Sequence, residues 1–132
     1  MIKLPSVLLV DDDDTVNYLN RALFKKLEVT EKLFVVGNGQ EALTFITQNC
    51  PGPDCPSLIL LDINMPVMDG FEFLDAYKEL EFEQKQSVVI VMLTTSLNPR
   101  DVEKVQRANI GGLVNKPLTK QALEDIIAKH FS

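Results

Sequence analysis

Three stretches of this chain, Val7 to Val10, Leu58 to Leu61 and Val88 to Leu93, are unbroken apolar runs without polar alternation. Strands buried on both faces have that composition, so these three are predicted to be the central strands of a parallel sheet. The shorter runs Leu33 to Val36 and Leu113-Val114 are expected as outer strands. Between the runs, apolar residues recur at helical spacing: Val16, Leu19, Leu23 and Leu27; then Ala42, Leu43 and Ile46; then Phe71, Leu74 and Tyr77. The same spacing returns in Val102, Val105 and Ala108, a thin stripe, and in Leu123, Ile126 and Ile127. Strand and helix signals that alternate in this way predict an α/β fold, a doubly wound five-stranded parallel sheet of order 2-1-3-4-5 with helices on both faces.

Local signals mark where the helices begin and end. Asp14 or a neighbouring aspartate is placed to cap the first helix, and Asn38-Gly39 makes a turn before the second. The cluster Asn49-Cys50-Pro51-Gly52-Pro53 ends that helix and reads as a loop within the domain. Asn98-Pro99 is a cap followed by proline at the first helical position, and Thr119 caps the last helix, with Leu118 able to pack across the cap on Leu123. The charged stretch from Glu79 to Gln86 is expected to be a solvated tail of the third helix.

Composition narrows the function. With 132 residues and 45% hydrophobic content, one domain over residues 1–132 is expected, with no output domain attached. A formal net charge of -6 argues against direct binding to nucleic acid or to an anionic membrane. The opening Met1-Ile2-Lys3-Leu4-Pro5 is no signal peptide and no run is long enough to span a bilayer, so the cytoplasm is the expected location. In that reducing compartment Cys50 and Cys55 are read as free thiols. His130 is read as a cation suited to a helix C-terminus, and Met65 and Met68 as packing residues.

The candidate chemistry lies at the strand ends. Asp11 and Asp12 follow the first strand, Asp62 the third, Thr94 the fourth and Lys116 the fifth. Open parallel sheets bind ligands beyond the carboxyl ends of their strands where the strand order reverses, between strands one and three here. Asp11, Asp12 and Asp62 are therefore expected in one acidic pocket flanked by Thr94 and Lys116. Three carboxylates that close repel unless a cation neutralises them, and Mg²⁺ suits an all-oxygen site with positions left for phosphoryl oxygens. Asp62, alone at its strand end, is the candidate nucleophile and phosphoacceptor, Asp11 and Asp12 are candidate metal ligands, and Thr94 and Lys116 are candidate partners for phosphoryl oxygens. Asp13 and Asp14 are explained by the preference of helix N-termini for aspartate.

These residues resemble the receiver domain of two-component response regulators, in the stand-alone form, over nearly the whole chain. Val7-Leu8-Leu9-Val10-Asp11-Asp12 is similar to that family's acidic pair, and Leu60-Leu61-Asp62-Ile63-Asn64-Met65-Pro66-Val67-Met68-Asp69-Gly70 to its phosphoacceptor loop. Val91-Met92-Leu93-Thr94 and Asn115-Lys116-Pro117 match its two other signatures. The resemblance implies a flavodoxin-like fold and phosphoryl transfer to Asp62 from a sensor histidine kinase or a histidine phosphotransfer protein. It implies Mg²⁺ held by Asp12, Asp62 and the backbone carbonyl of Asn64, with Asp11 in support, and a signalling role rather than an enzymatic one. It also implies output through the surface from about Asn98 onward to a downstream protein, with phosphorylation-dependent dimerisation left open.

Two positions depart from the family pattern. Leu113 stands where an aromatic switch residue is usual, and Thr95 where alanine or glycine commonly follows the switch threonine. Two other readings stay open: a degenerate receiver that only binds proteins, and a haloacid-dehalogenase-like phosphatase using Asp11, whose Asp-x-Asp-x-Thr signature Asp11-Asp12-Asp13-Asp14-Thr15 also fits. Such a phosphatase needs a further acidic pair, which nothing after Lys116 supplies.

Overall fold

The computed structural model describes residues 3–95, 98–108 and 110–131; Met1 and Ile2, part of the opening stretch read above, lie outside them. Strands and helices alternate as β1 (Leu4–Val10), α1 (Asp14–Leu27), β2 (Thr30–Val36), α2 (Gly39–Asn49), β3 (Leu58–Asp62), α3 (Gly70–Lys78), β4 (Val89–Thr94), α4 (Pro99–Ala108), β5 (Gly112–Asn115) and α5 (Lys120–Phe131). The strands form one parallel sheet in the order β2-β1-β3-β4-β5, as the sequence predicts.

The apolar runs are explained by burial on two faces. Val7 and Leu9 of β1 join Leu58, Leu60, Val91 and Leu93 against Phe24 of α1 and Leu123, Ile126 and Ile127 of α5. The alternate residues Leu8, Val10, Ile59, Leu61, Ile90 and Met92 face Ala42, Ile46, Phe73, Leu74, Tyr77 and Val105 of α2, α3 and α4. Successive side chains of a strand point to opposite faces, so a strand covered on both sides must be apolar throughout. Helix α4 buries only Val105 among its described residues, which agrees with its thin stripe.

Capping follows the sequence closely. Asp13 accepts from the amides of Thr15 and Val16, Asn38 from Glu41, and Thr119 from Ala122. At α3 the sequence reading missed a capping box: Asp69 and Glu72 exchange side-chain and backbone hydrogen bonds. Just before it, the amide of Met68 donates to the carbonyl of Pro66 at 2.7 Å around Val67, whose φ is 67°. This is a γ-turn in its strained, positive-φ form, which a β-branched residue rarely adopts.

Three expectations are corrected. Cys50 and Cys55 are joined by a disulfide, with Cα atoms 4.8 Å apart, rather than being free thiols. The loop folds back on itself because Cys55 donates its amide to Gly52, and Gln84 clamps Gly52 by both its amide and its carbonyl. The stretch from Glu79 to Gln86 is more than a solvated tail: Leu80 and Phe82 pack against the core, and Lys85 donates to the carbonyls of Lys78 and Leu80. The buried face of α1 is Asn17, Asn20 and Phe24, whereas Leu19, placed on the core stripe above, is 56% exposed. Leu23 and Leu27 flank the buried face and are partly covered.

Candidate functional site

Parallel pairing of β1 with both β2 and β3 puts the reversal of strand order at β1, and the residues at its carboxyl end line the crevice there. Asp11 is the first residue past β1, Asp62 is the last of β3, Thr94 the last of β4, and Lys116 the first past β5. The carboxylates of Asp11, Asp12 and Asp62 offer oxygen atoms that all lie within 4.8 Å of one another. The acidic pocket read from strand ends is thus assembled, with Asp11 and Asp62 buried and Asp12 exposed.

Lys116 reaches into this pocket. Its Nζ lies 2.7 Å from Asp11 Oδ2 and 3.1 Å from Asp62 Oδ1. The Lys116–Pro117 peptide is cis, and the amide of Lys116 donates to the carbonyl of Thr94 at 2.6 Å, tying the turn after β5 to the end of β4. Asp11 Oδ1 accepts from the amide of Asp13 at 2.9 Å, so both of its oxygens have partners within the protein. Asp12 has the more open carboxylate of the pair.

The electrostatics follow from burial and like charge. Burial raises the pKa of Asp62 above its ordinary 3.8, and Asp11 adds to the rise, while Lys116 opposes it. For Lys116, burial pulls the pKa down, but its contacts with Asp11 and Asp62 outweigh this and the net shift is upward. Lys116 thus pairs with two of the three carboxylates, Asp11 and Asp62. All three side-chain donors are oxygens and Lys116 offsets only part of their charge, a set that fits a hard divalent cation such as Mg²⁺.

The surroundings are fixed by close approaches. A Cβ on Gly70 would lie 2.6 Å from the carbonyl oxygen of Asp62, so only glycine lets α3 start this near the site. The amide of Gly70 donates to Ile63, and that of Ile63 to Leu93, which anchors the chain just past Asp62. Asn64 is exposed two residues beyond Asp62, Thr94 is buried, and Thr95 is exposed at the start of the next loop. Leu113 pairs in register with Met92 and is half-buried, lining a cleft of about 320 Å³ with Val102, Val105 and Gln106.

One residue bonded to the edge of the site escaped the sequence reading. Asn17, one turn into α1, donates from Nδ2 to the carbonyl of Asp11 at 2.9 Å. Its signal was a polar residue beside a predicted apolar stripe, which by itself reads as a solvated position.

Comparison with known proteins agrees with this geometry. Residues 7–128 match the model of the response regulator receiver domain. The chain is 31% identical to two-component response regulator 24 of Arabidopsis thaliana, over 94% of this chain and 82% of that protein. It is 29% identical to the chemotaxis protein CheY of Halobacterium salinarum, over 92% of each. It is also 33% identical to hybrid signal transduction histidine kinase B of Dictyostelium discoideum, of whose length it spans only 7%. It superposes on the crystal structure of a two-component response regulator from Cytophaga hutchinsonii with a TM-score of 0.88 and 35% identity, covering 96% of both chains. With its flavodoxin-like sheet order and its acidic crevice at the end of β1, the chain belongs to the response regulator receiver domain family of two-component signalling.

Proposed function

We propose that this receiver is an active phosphoacceptor, taking a phosphoryl group onto Asp62 from a histidine kinase or a histidine phosphotransfer protein. The observation that carries this reading is that Lys116 bridges Asp11 and Asp62 in a buried pocket completed by Asp12. Such an arrangement has no packing value and is electrostatically unfavourable without a further cation, which argues for a ligand-binding purpose. A receiver that only binds proteins has no need of it. The phosphatase alternative is weakened by the lack of a further acidic pair at a strand end after Lys116.

In the proposed reaction an oxygen of the Asp62 carboxylate attacks phosphorus as the phosphorus–nitrogen bond of the donor phosphohistidine breaks. The imidazole nitrogen keeps the electron pair and is then protonated, and an acyl phosphate remains on Asp62. Asp12, Asp62 and the carbonyl of Asn64 would hold Mg²⁺, which would supply the positive charge that the carboxylates and the incoming phosphoryl oxygens need. Lys116 favours the ionised, nucleophilic form of Asp62 and stands close enough to pair with an oxygen of the group it accepts. Thr94, at the end of β4, offers a hydroxyl to another phosphoryl oxygen.

Exposed apolar residues near the crevice support a protein donor. Tyr18 and Leu19 near the start of α1 and Val67 in the loop after β3 are exposed by 71%, 56% and 81%, and all belong to segments that lead away from the site. Output is assigned to the surface of α4 and β5, where Leu113 lines a cleft beside the weakly anchored α4 and has no ring with which to act as an aromatic switch. No helix among the described residues is long and apolar enough to cross a membrane, and the acidic chain favours a protein partner over nucleic acid.

The test is incubation with Mg²⁺ and a small acyl phosphate donor, followed by intact-mass measurement. One added phosphoryl mass, abolished by Asp62→Asn and by chelation, is expected. No adduct with a folded protein would favour the binding-only reading.

A further inference from the structure

Helix α1 presents Asn17 and Asn20 ahead of Phe24 on its buried face, where its flanking residues Leu23 and Leu27 are apolar. Asn17 is 9% exposed, and its Oδ1 is buried without a hydrogen-bond partner among the described residues. Its amide orientation is fixed by chemistry, because the atom 2.9 Å from the carbonyl of Asp11 must be the donor Nδ2. A buried orphan acceptor loses hydration without compensation, and asparagine is a poorer helix former than leucine. An apolar residue of similar size removes that orphan but leaves the buried carbonyl of Asp11 without this donor. The one gain from asparagine is the bond to Asp11.

That bond acts where the acidic pair is oriented. The amide of Asp11 donates to the carbonyl of Val36 at 3.1 Å, and its carbonyl accepts from Asn17, so the residue's backbone is held on both sides. The carbonyl of Asp11 belongs to the peptide unit that joins Asp11 to Asp12, and a peptide plane is rigid. Fixing its oxygen fixes the direction in which the chain, and with it the carboxylate of Asp12, leaves β1. Neither carboxylate of the pair depends on this bond for its own hydrogen bonding, since Asp11 is held by Asp13 and Lys116.

We propose that Asn17 is a positioning residue for the cation site: it sets the Asp11–Asp12 peptide so that Asp12 faces Asp62. The proposal rests on the Mg²⁺ reading given above, for which the oxygen donors of Asp11, Asp12 and Asp62 are the basis. Partners that orient a metal ligand from behind typically change affinity about 10- to 100-fold when removed.

The test uses Asn17→Leu, which keeps the volume and removes the donor, and Asn17→Ala as a second variant without added branching. Mg²⁺ affinity is measured by calorimetry alongside thermal melting of the metal-free protein. The expected result is affinity reduced about tenfold or more in both variants, with both metal-free variants still giving a cooperative melting transition. Affinity within twofold of wild type in both folded variants overturns the proposal, whatever happens to stability. Wild-type protein that shows no Mg²⁺ binding sensitive to Asp62→Asn overturns the underlying reading instead, and the positioning role falls with it.

Discussion

Lys116 Nζ and Asp11 Oδ2 are 2.7 Å apart although 105 positions separate them in sequence, and this contact joins the turn after β5 to the end of β1 across β3 and β4. Both side chains are nearly buried, at 11% and 5% exposure, so the pair is in a low-dielectric setting where removing one partner is expensive. Lys116 also contacts Asp62, so one ammonium group serves two buried carboxylates.

Two substitutions at this site are expected to move stability in opposite directions. The folded-state pKa of Asp62 is raised from 3.8, so its stabilising contribution is present below that value and lost as pH rises through the folded pKa. At neutral pH the ionised carboxylate therefore weighs against folding. Asp62→Asn is expected to stabilise the metal-free protein at pH 7 by on the order of 1 kcal/mol, with the gain vanishing below about pH 4. Lys116→Met leaves both carboxylates uncompensated and is expected to cost about 3 kcal/mol, part of it recovered in the double variant. Urea denaturation of the four proteins in a chelator measures the cycle; a destabilising Asp62→Asn at pH 7 contradicts the account.

Tyr77 gives a second pH signature. It is 8% exposed, its hydroxyl has no hydrogen-bond partner among the described residues, and burial pushes its pKa from 10.0 up to about 12. The folded protein keeps this proton where the unfolded chain has lost it, so stability is full below pH 10 and falls as pH rises toward about 12. Tyr77→Phe keeps the ring contacts with Phe73 and Phe82 and removes the orphan hydroxyl. It is expected to stabilise by about 1 kcal/mol at pH 7 and to flatten the alkaline decline. An unchanged alkaline slope in the variant would exclude Tyr77 as its source.

Val67 carries backbone strain without side-chain compensation. At φ 67° and 81% exposure, it occupies a left-handed conformation and buries little. Val67→Gly is expected to raise stability by about 1 kcal/mol, because relief of the strain exceeds the extra freedom glycine gives the unfolded chain. Thermal melting decides the sign, and a lower melting temperature would count against strain at this turn.

Reduction of the Cys50–Cys55 disulfide tests whether the two ends of the domain are independent. The bond closes a loop between α2 and β3, at the amino end of β3 and far along that strand from Asp62. The chain-entropy argument gives a loss of about 2 kcal/mol for so short a loop. A dithiol is expected to lower the melting temperature while leaving the rate of Asp62 phosphorylation within twofold; a larger change in rate would link that loop to the site.

The sequence by itself determined which residues form the sheet and which reach its carboxyl edge. Runs such as Val7 to Val10 and Leu58 to Leu61 are legible because burial on both faces demands apolar side chains at every position. Asp11, Asp62, Thr94 and Lys116 are legible because strand ends are fixed by where those runs stop. Caps such as Asp13 and Thr119 are equally local.

Tertiary structure alone decided the rest, for reasons of long-range geometry. Helical periodicity defines the core face of α1 only to within a residue or so, and the bond from Asn17 to Asp11 accompanies the rotation that turns Leu19 outward. The pairing of Cys50 with Cys55 depends on how their loop is folded back and clamped by Gln84, which no spacing reveals. The sharing of Lys116 between Asp11 and Asp62 exists only once three strand ends are brought side by side in the sheet.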